Sequence, residues 1–167
     1  MRGSGFPLLA FGLTLLPVTG DLDDLSAPLG INATMLLCDA AQSVAGKLYV
    51  LGGGWSQISA PVPGAGLNMA LAIKLNIPWD RANEQFRVRA ALVTDDGEDV
   101  ELGAGPVAAE GELEVGRPPG LRPGTPLDST LALNFAGLTL APGGYVWQLE
   151  VDGDVLARAP FRVAGEV

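Results

Sequence analysis

The side chains able to do chemistry in this chain are few, and a gap defines them: its 167 residues include no histidine. Without imidazole there is no Ser–His or Cys–His nucleophile pair, no His-ligated metal and no ordinary general base near neutral pH. The single cysteine, Cys38, has no partner for an internal disulfide and cannot build a thiolate zinc site. It ends the apolar run Met35-Leu36-Leu37 and reads as a small buried hydrophobe. No catalytic residue, metal or cofactor is therefore expected.

The remaining candidates are charged. Asp95, Asp96, Glu98 and Asp99 cluster where a loop tip could offer hard oxygen ligands to calcium, but these are also ordinary residues for the end of a β-hairpin. Glu110, Glu112 and Glu114 alternate along one strand face, and Arg87 and Arg89 along another. If those strands are neighbours, the two stripes pair across the sheet for a few tenths of a kcal/mol each; otherwise the acidic stripe could dock a basic partner. Gly52-Gly53-Gly54 lacks the Lys-Ser/Thr and following helix of a phosphate loop, so it reads as a bulge or a close backbone approach.

The segment Gly116 to Pro126 is eleven residues without periodicity and holds four prolines. Long loops in compact domains often carry function. Arg117 and Arg122 could clasp a carboxylate or phosphate in bidentate fashion. Alternatively the loop is a structural crossover between sheets, its arginines paired with the glutamate stripe. The binding surface expected on these grounds comprises Arg117, Arg122 and Trp79, with Trp55 a possible addition.

What must position these groups is a stack of short strands. Tyr145, Trp147, Leu149 and Val151 alternate with polar neighbours, and the pattern resumes through Ala157, Ala159, Phe161 and Val163. A period of two buries one face of a strand. Asp152-Gly153 marks the turn, and an odd-numbered loop is expected so that both sets share one face. Leu67, Met69, Leu71, Ile73, Leu75 and Ile77 form the cleanest buried face, opposite Asn68, Ala70, Ala72, Lys74 and Asn76. Pro78 ends that strand, and Trp79 to Gln85 fits one helical turn capped by Asp80. A three-residue loop, Asp95-Asp96-Gly97, sets Leu92 opposite Val100 and Ala90 opposite Leu102. Inward sets recur at Thr34–Cys38, Leu48–Leu51, Phe86–Leu92, Val107–Val115 and Leu131–Phe135. About eight or nine strands with 23 glycines and 13 prolines predict an all-β fold, an antiparallel β-sandwich of immunoglobulin-like architecture.

Residues 34–167 are expected as one domain and residues 1–33 as an extension outside it. Arg2, the apolar run Phe6 to Val18 and Gly20 resemble a secretory signal, or an upstream extension with no folded role. The expected location is cytoplasmic, or secreted if residues 1–20 direct export. A net charge of −9 repels phosphate backbones and anionic lipid, which argues against nucleic-acid and membrane partners.

The motifs Met35-Leu36-Leu37-Cys38-Asp39-Ala40-Ala41-Gln42, Gly46 to Trp55, Ile77-Pro78-Trp79-Asp80, Gly116 to Asp128 and Gly144-Tyr145-Val146-Trp147 together resemble a small bacterial family, common in actinobacteria, that carries only a domain-of-unknown-function label. The resemblance runs from about Thr34 to Val163. It implies no activity and no site residues. The function expected is a non-catalytic binding or assembly module with a protein partner. The alternatives are a carboxylate-based enzyme acting on a sugar or with a divalent ion, and self-association through an exposed sheet edge.

Overall fold

The computed structural model describes residues 30–59, 65–103 and 105–165. The alternation dictates strands throughout, and among the described residues twelve form: β1 (Asn32–Cys38), β2 (Ala40–Val44), β3 (Lys47–Leu51), β4 (Gln57–Ile58), β5 (Leu67–Ile77), β6 (Gln85–Thr94), β7 (Glu101–Leu102), β8 (Gly105–Pro106), β9 (Ala108–Glu114), β10 (Leu127–Leu138), β11 (Gly143–Val151) and β12 (Asp154–Val163). The expected eight or nine strands become twelve because β4, β7 and β8 are two-residue pairings and β2 carries almost no apolar alternation. The first strand starts at Asn32, ahead of the boundary expected at residue 34. The signal-like run lies outside the described residues, among which no helix is long and apolar enough to cross a membrane.

Two sheets stack as a sandwich: β1-β5-β10, and β4-β12-β11-β6-β9. All neighbours are antiparallel except β4 and β12, which run parallel through Gln57 and Ile58 against Arg162 and Val163. Between the sheets lie Leu71, Ile73 and Leu75 of β5 and Leu92, Trp147 and Leu149 of the larger sheet, all essentially without solvent contact. Removing each such side chain from water stabilises the fold by about 1.5–3 kcal/mol. At the corner before β11, the Tyr145 hydroxyl donates to the Ala141 carbonyl at 2.9 Å.

The outer face of the smaller sheet is not left to water. Ala70 and Ala72, expected on the solvent side, are buried with Cys38 and Ala41 beneath the β2–β3 hairpin, which lies across that sheet as a flap. Only side chains this small let a second layer approach. Asn134 fastens it: its carboxamide accepts the Ala41 N–H at 3.2 Å and donates to the Ala41 carbonyl at 3.0 Å. The Ser43 hydroxyl adds a bond to the Thr130 carbonyl at 2.9 Å. After β3 the chain passes tightly over β1. The Gly54 N–H donates to the Leu37 carbonyl at 2.9 Å, the close backbone approach expected of the triple glycine, and a Cβ on Gly53 would sit 2.9 Å from the Leu36 side chain.

Local turns refine the sequence reading. The three-residue loop after β6 forms, with Gly97 at φ +86° and the Val100 N–H donating to the Leu92 carbonyl at 2.9 Å. Beyond Val100 the expected pairing of Ala90 with Leu102 gives way: Leu102 turns into β7, and Ala90 pairs with Ala109 of β9. The closing hairpin uses a two-residue turn, not an odd loop. Asp152 and Gly153 sit at φ +52° and +92°, the primed turn that matches strand twist. The register then shifts, Glu150 facing Val155 but Leu149 facing Ala157. The extra residue, Leu156, is a bulge that returns Ala157, Ala159 and Phe161 to the inner face. The expected helical turn is a single 3-10 turn, Trp79–Arg81, that follows Pro78 and has no side-chain cap, so Asp80 lies inside it.

Candidate functional site

Three surfaces concentrate unusual chemistry. The first is the outer face of the five-stranded sheet, where β6 and β9 are neighbours and Arg89 faces Glu110 while Arg87 faces Glu112. This register places the two stripes side by side, and the ion pair that forms between them is Arg89 with Glu110. Arg89 is a hub: it meets Asp99 at 2.8 Å, Glu110 at 3.1 Å and Glu150 at 3.3 Å. Desolvation by partial burial works against its charge, but the three carboxylates outweigh it and hold the guanidinium above its already strongly alkaline pKa. An open groove of about 690 Å³ runs over Arg87, Arg89, Glu112 and Asp152. Its acids Glu110 and Glu150 are bound to a fixed cation rather than converging on open space. Among the described residues no three Asp, Glu or Cys side chains gather in a way that could hold a metal ion.

The second surface is the end of the sandwich beyond β5. There the Arg117 guanidinium lies 4.8 Å from the centre of the Trp79 ring and donates to the Trp79 carbonyl at 3.0 Å. Arg81 likewise lies over Phe86 at 4.8 Å and pairs with Glu84 at 2.8 Å. The Gly116–Pro126 loop leaves β9 in one sheet and enters β10 in the other, so it is a crossover, folded by turns at Pro118–Leu121 and Arg122–Thr125. Trp79 and Arg117 are therefore together. Arg122 is exposed on the same loop, and neither arginine reaches the glutamate stripe.

Trp55 belongs elsewhere. It packs edge-on against Phe161 at 6.0 Å, and its indole N–H donates to Asp39 at 3.1 Å. Phe161 pairs with Tyr145 at the start of β11, whereas Arg81 reaches Asp152 beyond that strand's end. The two tryptophans thus occupy opposite ends of the sandwich.

The third surface was not singled out from sequence. Six large apolar side chains are exposed among the described residues, and five of them lie on the flap or against it: Leu36, Val44, Tyr49, Val50 and Leu51. Leu51 is 69% exposed and Tyr49 is 57%. The β2–β3 register explains why. Ala41 and Ser43 point at the smaller sheet, so Ala40, Gln42 and Val44, with their partners Leu51, Tyr49 and Lys47, point away from it. The signal was present in Lys47 to Leu51, where an apolar strand follows one charge, but spacing alone does not say which side is covered.

Among solved structures, the chain resembles the alkylpurine DNA glycosylase AlkC of Pseudomonas fluorescens bound to DNA containing an abasic site analog. That likeness has a TM-score of 0.45 and 15% identity, over 81% of this chain and 30% of that one. It also resembles the beta-glucosidase of Listeria innocua, with a TM-score of 0.42 and 8% identity, over 82% of this chain and 16% of that one. The chain spans less than a third of either protein, and likenesses this distant say nothing of chemistry. No curated protein matches the chain. Residues 33–164, which hold both sheets, the flap and the crossover loop, match the model of a family of unknown function (DUF6941), and the chain belongs to that family.

Proposed function

We propose that this protein is a non-catalytic binding or assembly module, built on an immunoglobulin-like sandwich, whose main docking face is the outside of the β2–β3 flap. The observation that carries this reading is the gathering of three exposed large apolar side chains, Val44, Tyr49 and Leu51, on that face, with Val50 and Leu36 exposed beside it. Contiguous exposed apolar surface rimmed by polar residues marks interaction sites in soluble proteins. The strand order of the two sheets and the Tyr145 hydroxyl bond to Ala141 support the immunoglobulin-like part.

The end carrying Trp79, Arg117 and Arg122 is a second contact in this proposal, suited to a carboxylate or phosphate of the partner. Its support is the stacked, main-chain-anchored Arg117, which is held in place before any ligand arrives. The carboxylate-enzyme alternative gains no support, because Glu110 and Glu150 of the groove are engaged by Arg89 and, among the described residues, no three acids gather there to hold a metal ion.

The test is affinity capture from native lysate with the full chain and with two variants, Tyr49→Ser/Leu51→Ser and Arg117→Ala/Arg122→Ala. The proposal expects the flap variant to lose the captured species while its melting temperature stays within a few degrees. Identical capture by the wild type and the flap variant would overturn the assigned docking face.

A further inference from the structure

The flap is a two-stranded sheet, so among the described residues each of its strands has one edge with no partner strand. Its turn, Ala45-Gly46, holds both residues at positive φ, +50° and +72°, and is closed by Val44 facing Lys47. In such a two-residue hairpin the closing pair exchanges both hydrogen bonds, and hydrogen-bonded pairs then alternate with non-bonded ones. Lys47, Tyr49 and Leu51 accordingly direct their main-chain groups at β2. Leu48 and Val50 direct theirs to the free edge, and no backbone partner is found for them among the described residues. An unpaired edge beside exposed apolar side chains is a template for another strand.

We infer that the strand it accepts is β3 of a second copy of this chain, paired antiparallel about a two-fold axis through Tyr49. Resting on the reading of the flap as a docking face, this names the partner. Antiparallel pairing centred on Tyr49 is the register that engages all five residues of the strand. It sets Leu48 against Val50 of the other copy, and these are the residues whose main-chain groups point outward. It also sets Lys47 against Leu51, so like charges do not meet.

Charge chooses a second copy over a charged partner. The flap's outward face holds no carboxylate and a single cation, Lys47. The glutamate stripe and the Arg89 hub lie on the outer face of the other sheet, across the full sandwich. Two chains of net charge −9 that pair through the β3 edge leave those acidic faces outside the contact. A two-fold contact is isologous, so one self-complementary patch suffices.

The pairing is tested on the purified full chain by light scattering across concentration and by cysteine cross-linking. At the centre of the register the two Tyr49 residues form a non-hydrogen-bonded pair, with Cβ atoms close enough for a disulfide. The native Cys38 is buried and does not interfere. The inference expects the mass to rise from one chain of 17.2 kDa toward two, Tyr49→Lys to hold it at one, and Tyr49→Cys to form a covalent dimer under mild oxidation. Val155→Cys, placed at the sixth exposed apolar position, on β12, should not. A wild type that stays at one chain throughout, or equal cross-linking at 49 and 155, overturns it. A monomeric wild type that still captures a flap-dependent species would sink self-pairing alone and leave the docking face standing.

Discussion

Trp147 and Met69 meet between the sheets, where the indole N–H donates to the thioether sulfur at 3.3 Å. Trp147 is fully buried, and its ring lies 4.3 Å from that of Phe135 at an angle of 32°. A soft sulfur acceptor thus satisfies the one polar atom of the largest core residue. Truncation by Trp147→Ala is expected to cost about 3–5 kcal/mol. Met69→Leu keeps the volume but orphans the N–H, for a loss of about 1–3 kcal/mol. Urea denaturation of the two variants separates these costs.

Asn134 is expected to govern the flap rather than the sandwich. Its carboxamide satisfies both main-chain groups of Ala41, and those groups stay half-covered if it is removed. Asn134→Ala should weaken flap closure by about 1–3 kcal/mol. Amide exchange is the measurement: protection should fall across Ala40–Leu51 and persist in β5 and β11.

The turn of the flap offers a gain. Ala45 holds φ +50°, a left-handed conformation that penalises a Cβ, and Gly46 follows. Ala45→Asn creates the Asn-Gly pair that such turns favour and should add about 0.5–1 kcal/mol. A higher denaturation midpoint with unchanged slope would bear this out.

Cys38 predicts an alkaline limit to stability. Burial, and next the neighbouring Asp39 charge, push its thiol pKa up. A group whose folded pKa exceeds its unfolded value, about 8.5 for cysteine, stabilises fully below that pH and loses the contribution as pH rises through the folded value. The stability advantage of wild type over Cys38→Ala should hold constant up to about pH 8.5 and shrink above it. A thiol reagent should label the native protein only after unfolding.

Asp152 joins turn and strand. It sits at φ +52°, its carboxylate accepts the Arg87 N–H at 2.9 Å, and its own N–H donates to the Arg87 carbonyl at 2.9 Å. Asp152→Ala removes the acceptor and places an alanine in the left-handed region, for about 1–3 kcal/mol. Asp152→Asn keeps both properties and should cost less, which thermal melts would resolve.

The strands were legible because leucine, valine and aromatic residues recur at every second position, and face is what that period encodes. The placement of Arg87 and Arg89 opposite Glu112 and Glu110 followed from the same parity, and the Asp95-Asp96-Gly97 loop from matching apolar to apolar. Loop length in the closing hairpin was not legible, since the Leu156 bulge and a longer turn give Trp147 and Ala159 the same partnership. The flap was hidden for another reason. Ala40-Ala41-Gln42-Ser43-Val44 has little apolar contrast, and what makes room for it is the smallness of Ala70 and Ala72, which reads as indifference in a hydropathy pattern. Of the expected surface, Trp79 and Arg117 do meet. Which end of the molecule Trp55 would occupy depended on the path of the chain over β1, and no spacing encodes that path.

The three indoles are spread with consequences for watching the molecule come apart. Trp147 sits at the centre, Trp55 against Phe161 at one end and Trp79 beneath Arg117 at the other. Leaving one tryptophan at a time, by replacing the other two with phenylalanine, gives three fluorescent reporters along the long axis of a single protein. Coincident emission shifts would mean the domain opens as one cooperative body, and a staggered order would show which tip frays first.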